Sequence, residues 1–247
     1  MKGFRKASAT NDILSEYLQA NPNSKWKGDG GFYKSAPKEQ VTGIYNSIYN
    51  DQGGICAYCE ILLKWPTTEF TNDFRVEHFH PEEDQGGSSY NYSLDWNNLI
   101  GCCHGGSSQT SRSFGDEHTG KKFHSCDVPK GNKILDNEIL NPLVDIPVDT
   151  CFFDFKEDGS IIVGNNCPEN MKLRSQRTID ELNLDCLRLK KFRAAIIDQL
   201  RDTIEVETSD ILSEEEINLK IIQLREELLT PVIKPEFYSA INWYLAP

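Results

Sequence analysis

Five of the eight cysteines (Cys56, Cys59, Cys102, Cys103 and Cys126) and all five histidines (His78, His80, His104, His118 and His124) fall between residues 56 and 126. The opening MKGFRKASATNDILSEYL has no apolar core of an export signal, so a cytoplasmic address is expected. A reducing cytosol does not sustain a disulfide framework, and the cysteine cluster therefore points to metal or thiol chemistry. Cys151, Cys167 and Cys186 lie apart from it and read as small buried hydrophobes.

The chain of 247 residues is long enough for a sizeable core, and 38% hydrophobic residues with 17 glycines exclude a disordered chain. No window offers the uncharged apolar run of a membrane span. The net charge of −12, most of it carried by residues 141–247, runs against stand-alone nucleic-acid binding, which needs Lys and Arg to neutralise phosphates. Any such activity must rest on a local patch, a metal or a basic partner.

Residues 11–20 and 38–50 read as short helices, the second with Val41, Ile44, Tyr45, Ile48 and Tyr49 at helical spacing after Pro37. Gly53 and Gly54 stop it before the knuckle Ile55 to Cys59. Phe74 to Phe79 alternates like a strand closed by Pro81, residues 82–93 form a polar loop, and Asn98-Leu99-Ile100 reads as a second strand. A Gly/Ser-rich insertion covers 104–125. Beyond Asn141, Glu157-Asp158-Gly159-Ser160 signals a hairpin. Thr178 with Glu181 and Ser213 with Glu216 read as capping boxes, Leu189, Phe192, Ile196 and Leu200 mark an amphipathic helix to about residue 205, and a second helix spans about 214–229. A final apolar helix is expected in the tail.

Cys56-x-x-Cys59 alone fits either a zinc knuckle or a redox pair. The redox reading wants the pair to open a helix after a strand, whereas here it follows a helix and two glycines. Two further cysteines, Cys126 and either Cys102 or Cys103, complete a four-sulfur structural zinc site, although 22 residues between Cys103 and Cys126 stretch the usual second knuckle. Between the pairs lies VEHFHP, in which a carboxylate precedes an imidazole near a proline. A kinked strand end there could bring Glu77 and His78 to one metal-water unit. Downstream, Asp127 follows Cys126 directly, and Asn98 can pin irregular backbone by hydrogen bonding.

The order CxxC, EHxxP, Asn-Leu, Cys, CDxxK over residues 55–132 resembles the HNH, or ββα-metal, endonuclease pattern. Within it the chain looks most like the PtuB-like effectors of Septu and retron anti-phage systems, a likeness that takes in WNNL and the later hairpin. The resemblance implies an α+β fold with a zinc-stabilised ββα-metal domain at 55–140. N-terminal helices at 1–54 would pack on it, and a hairpin and helical region at 141–247 would dock a partner. It makes Glu77 and Asp127 the ligands of a catalytic Mg²⁺ or Mn²⁺, His78 the general base, Asn98 the middle asparagine and Lys130 the trailing lysine. It also favours Cys103 over Cys102, because Cys103 lies five residues after Asn98, as the family's first downstream cysteine does.

The implied function is metal-dependent hydrolysis of phosphodiester bonds in DNA or tRNA, as effector of a defence system. The implied partner is a PtuA-like ABC-type ATPase. In a retron, a reverse transcriptase and its noncoding RNA and multicopy DNA would join them. Three departures stand against the family pattern: Glu at 77, Asp at 127, and a broken second CxxC. The rival reading is a non-catalytic zinc module that binds a protein. Taken singly, Asp127 could cap a helix, Lys130 could be a solvated charge, His80 could be a variable strand-end residue, and His104, His118 and His124 read as surface histidines. The run Arg188, Lys190, Lys191, Arg193 is the densest positive cluster and reads as a basic helix face.

Overall fold

The computed structural model describes residues 1–64, 73–83, 90–107, 120–148, 150–211 and 213–246. It is a mixed α+β arrangement in which two small antiparallel hairpins are embedded among helices. His118 lies outside the described residues, as do parts of the polar loop and of the insertion.

Helix α1 (Asp12–Ala20) is capped by Asn11, whose side chain accepts the Leu14 N–H at 3.3 Å. After the single turn α2 (Phe32–Ser35), helix α3 (Lys38–Asp51) buries Ile44, Tyr45 and Ile48, three of the five positions that the helical spacing singled out. Gly53 and Gly54 end it with φ of 67° and 77°, a region open to glycine at little cost.

The first hairpin pairs β1 (Arg75–His78) with β2 (Leu99–Cys102), setting Glu77 opposite Ile100 and His78 opposite Leu99. Helix α3 lies against β2, and the buried Gln52 binds the strand as a further ladder rung would. Its Oε1 accepts the Gly101 N–H at 2.6 Å and its Nε2 donates to the Gly101 carbonyl at 3.0 Å. Both expected strands are present, the second extending two residues past Ile100. The short helix α4 (Asp127–Lys130) follows Cys126, whose φ of 63° is a rare conformation for a residue with a side chain.

The second hairpin, β3 (Phe153–Phe155) with β4 (Ile161–Val163), turns at the expected Glu157 to Ser160. A Cβ at Gly159 would stand 2.0 Å from the Lys190 carbonyl, so the turn lies directly on helix α6 (Leu187–Thr208). Helix α5 (Lys172–Glu181) corrects the first capping box: Thr178 sits inside the helix, its hydroxyl donating to the Arg174 carbonyl and accepting the Leu140 N–H at 2.8 Å. The second box holds, with Ser213 capping α7 (Glu214–Leu229). Helix α8 (Tyr238–Tyr244) packs on β3 and α6.

One hydrophobic cluster runs from Met1 and Phe4 through the first hairpin to Leu189 and Ala240, so residues before 55 and after 140 share a core with the segment between them. A satellite of Leu200, Ile241 and Leu245 holds α7. No described helix is long and apolar enough to cross a membrane.

Candidate functional site

The sulfurs of Cys56, Cys59, Cys103 and Cys126 lie within 4.8 Å of one another, all buried. Neighbouring pairs stand at 3.8 Å (Cys56 to Cys126), 3.5 Å (Cys59 to Cys103) and 3.7 Å (Cys103 to Cys126). A tetrahedron with metal-sulfur bonds of about 2.3 Å has edges of about 3.8 Å, whereas a disulfide needs about 2.05 Å. The sulfurs are thus spaced for a tetrahedral ion and not for disulfide bonds. Burial, and then the sulfurs of Cys103, Cys56 and Cys59, hold the Cys126 thiol well above its ordinary pKa, so the thiolate form needs a cation. Cys102 stays outside the group, with its thiol beside Cys56 and pushed well up by burial.

The knuckles come from three places. Cys56 and Cys59 sit on the turn after α3, where the Cys56 N–H donates to the Ile61 carbonyl and the Ala57 N–H to Gly101 of β2. Cys103 directly follows β2. Cys126, isolated by the insertion, is fixed from downstream: its N–H donates to the Leu182 carbonyl at 2.9 Å, and the Asn183 side chain donates to the Lys122 and His124 carbonyls. The 182–183 segment does the work that a tight second knuckle would do.

Beside the sulfurs, the face of β1 that carries Arg75 and Glu77 meets α4. Lys130, only 1% exposed, donates to Glu77 Oε1 at 2.8 Å and to the His78 carbonyl at 3.1 Å. Arg75 pairs with Asp127. Glu77 and Asp127 therefore lie on one side of the hairpin, each already matched by a cation. Burial raises the Glu77 pKa to about 7, with Lys130 opposing and Asp127 adding to the rise, and burial likewise raises Asp127 against the pull of Arg75. The buried Tyr58 hydroxyl makes no hydrogen bond among the described residues, and burial, then Glu77, pushes its pKa well up. Lys130 is thus no solvated charge. Its burial and that of Arg75's partner were invisible in the sequence, since neither an ion pair across 53 residues nor one across 52 leaves a local pattern.

His78 lies on the other face. The alternation of β1 persists through it, with Val76 and His78 buried and Arg75 and Glu77 half-buried. Its Nε2 is 2.8 Å from the Ser93 carbonyl, which can only accept, so the proton sits on Nε2 and Nδ1 keeps its lone pair. Nδ1 makes no hydrogen bond among the described residues. Trp26 stands edge-on to the ring at 6.1 Å, and burial lowers the His78 pKa, which favours the neutral imidazole. Glu77 and His78 thus occupy opposite faces of β1, and among the described residues the four cysteines are the one group of three or more such side chains close enough together to hold an ion.

Asn98 pins the turn behind His78. Its Oδ1 accepts the His80 N–H at 2.7 Å and its Nδ2 donates to the His80 and Tyr92 carbonyls, each at 2.8 Å. His80 stacks on Tyr92 at 3.8 Å and binds Asp136 through Nδ1 at 2.9 Å. His104 is half-buried on Asp73 and His124 is half-buried, so neither is a free surface histidine. The basic run is also corrected: Arg188 and Arg193 are buried, Lys190 pairs with Asp185, and no continuous positive face forms.

No known family model matches the chain. Over 223 residues, 80% of the chain, it is 30% identical to an Escherichia coli protein described as an HNH endonuclease of retron Ec83, and it covers 79% of that protein's length. The chain belongs to the HNH endonuclease family. In this HNH endonuclease the acidic pair, the buried imidazole and the four sulfurs all border the first hairpin and the short helix α4.

Proposed function

We propose that the chain is a metal-dependent HNH nuclease that hydrolyses phosphodiester bonds, with the first hairpin and α4 as its ββα-metal core. The four cysteines would hold a structural zinc, to which their sulfur spacing is suited. Glu77 and Asp127 would hold a Mg²⁺ or Mn²⁺ ion, whose chemistry is to stabilise charge on the phosphate and on the leaving 3′ oxygen. The donor types fit a hard cation, and the unpartnered Tyr58 hydroxyl beside them fits a further oxygen in that space. Because Lys130 and Arg75 already neutralise the pair, an ion entering here is expected to come with an anion, the substrate phosphate.

The observation that carries the reading is the convergence of Glu77 and Asp127, distant in sequence, beside Lys130 and Arg75 at the first hairpin of a chain of this family. In-line displacement at phosphorus sets the attacking and leaving oxygens on opposite sides. His78 would take the proton of the attacking water at Nδ1 while Ser93 holds Nε2, and the carboxylates would hold the ion that serves the leaving oxygen. Asn98 positions His78 through the backbone of residues 80 and 92. Lys130 and Arg75 draw the phosphate in.

The retron in the relative's description supports a place in a retron system; the resemblance to PtuB-like effectors adds an anti-phage role with a PtuA-like ABC-type ATPase as partner and, in the retron arrangement, a reverse transcriptase with its noncoding RNA and multicopy DNA. The charge of −12 supports a partner that supplies the grip on nucleic acid, docked through residues 141–247. The cationic pairing of both carboxylates favours one other reading, a non-catalytic zinc module. Plasmid nicking and RNA cleavage with Mg²⁺ or Mn²⁺, by the chain alone and with its genomic neighbour, separates the two. His78→Ala is expected to lower the rate by about 10²- to 10⁴-fold. Equal cutting by that variant, or no cutting by the full assembly, sinks the nuclease mechanism.

A further inference from the structure

Arg188, at the start of α6, is 6% exposed, yet no carboxylate pairs with it among the described residues. Its hydrogen bonds go to neutral acceptors: Nη2 donates to Ser125 Oγ at 2.7 Å and Nε to the Phe123 carbonyl at 3.4 Å. Ser125 Oγ in turn stands 3.5 Å from Cys126 Sγ. A Cβ at Gly106 would meet Nε at 2.9 Å, so the guanidinium is held in a slot that only a glycine leaves open. The guanidinium thus reaches the four-sulfur group through Ser125 and through the 123–126 segment that carries Cys126.

An arginine is always charged, and an isolated buried charge is costly. With the cysteines protonated the sulfur group is neutral, and Arg188 is an uncompensated cation in the core. With four thiolates around a divalent ion the group carries two negative charges, and the cation beside it is balanced. We propose that Arg188 is a positioning residue of the metal centre, compensating the charge of the loaded four-thiolate site and thereby coupling the docking of α6 to metal occupancy. This rests on the zinc reading given above. The pairing also explains why a stretched second knuckle holds, since Arg188 grips the same 123–126 segment that carries the isolated Cys126.

The test compares zinc transfer from the full-length chain to a chromogenic chelator for the parent, R188Q and R188K, with far-UV circular dichroism alongside. R188Q keeps a donor for Ser125 but loses the charge, and it should release zinc on the order of 10- to 100-fold more readily than the parent. R188K keeps the charge and should stay within a few-fold. R188Q that cannot load zinc at all while R188K does is the extreme of the same result. Unchanged retention in R188Q, or a loss in R188K as large as that in R188Q, overturns the role of Arg188 while a zinc-bearing parent leaves the metal centre standing. A parent free of zinc overturns both.

Discussion

The sulfur centre and the oxygen centre are neighbours built from the same hairpin, yet they solve the burial of charge in opposite ways. The four sulfurs gather with no countercharge among themselves, and on the proposals above it comes from an ion and from Arg188. Glu77 and Asp127 carry their own countercharges, Lys130 and Arg75, which offset part of the cost of their burial. Groups arranged the first way call for a permanent ion. Those arranged the second way suit a transient one, bound when a phosphate arrives and lost when it leaves.

The largest effect should come from removing a sulfur. Structural zinc sites supply about 10–16 kcal/mol of apparent binding energy as folding energy. Cys126→Ser should therefore lose zinc by elemental analysis and with it a cooperative unfolding transition. Cys102→Ser, next to the centre but outside it, should keep the metal. If the two variants behave alike, the centre is not the four-sulfur group.

At the oxygen centre the largest effect should follow loss of Lys130. Lys130→Met leaves Glu77 buried and unpaired, at a cost in urea unfolding that should approach about 3–5 kcal/mol well above pH 7 and be smaller below it, where the carboxyl is protonated. Adding Glu77→Gln should recover most of that, because the uncompensated charge is gone. Mn²⁺ should stabilise the single Lys130→Met variant and leave the double variant unmoved. A double variant as unstable as the sum of the singles would show that the two side chains do not interact.

Asn98 touches neither centre and pins the turn behind His78. Asn98→Ala removes three buried hydrogen bonds and should cost roughly 2–3 kcal/mol while leaving zinc content unchanged. Asn98→Asp keeps the acceptor for the His80 N–H and should cost less. Zinc loss on Asn98→Ala would mean that the turn after β1 holds the sulfur centre too.

What the sequence disclosed and what it withheld follow the same division. Cysteine spacing carries its chemistry openly, so Cys56, Cys59 and Cys126 could be named, whereas Cys103 was favoured over Cys102 only through the family resemblance; the structure gathers Cys103 with the other three and leaves Cys102 out. Both hairpins and most helices were legible because their turn and cap residues act within a few positions, as at Ser213 and Gly159. Thr178 misled because a Ser/Thr-x-x-Glu spacing also occurs within helices, where the hydroxyl can bond back to the preceding turn. Lys130, Arg75 and Arg188 were illegible for another reason: a cation's partner lies wherever packing brings it, here 52 to 63 residues away. The divergence of Glu77 and His78 could have been foreseen from strand alternation alone, had the proline not invited a kink.

The smallest expected effect is the sharpest probe of the contrast. If the oxygen centre is self-neutralised, Mn²⁺ should bind the chain weakly by itself and more tightly once a short uncut oligonucleotide analogue is present, because the phosphate restores the charge that the ion upsets. Arg75 is the more accessible of the two cations, its side chain 30% exposed, so replacing it disturbs the fold least. Arg75→Gln removes the competitor for Asp127 and should raise affinity for Mn²⁺ alone by roughly three- to tenfold, a partly exposed pair being worth about 1 kcal/mol. The same change should shrink the gain from the oligonucleotide, since less charge remains for the phosphate to offset. Electron paramagnetic resonance of free Mn²⁺ reads both quantities in one titration. An Arg75→Gln chain that binds Mn²⁺ more weakly than the parent would mean that arginine holds Asp127 ready for the ion, and the two centres would then differ in ligand chemistry alone.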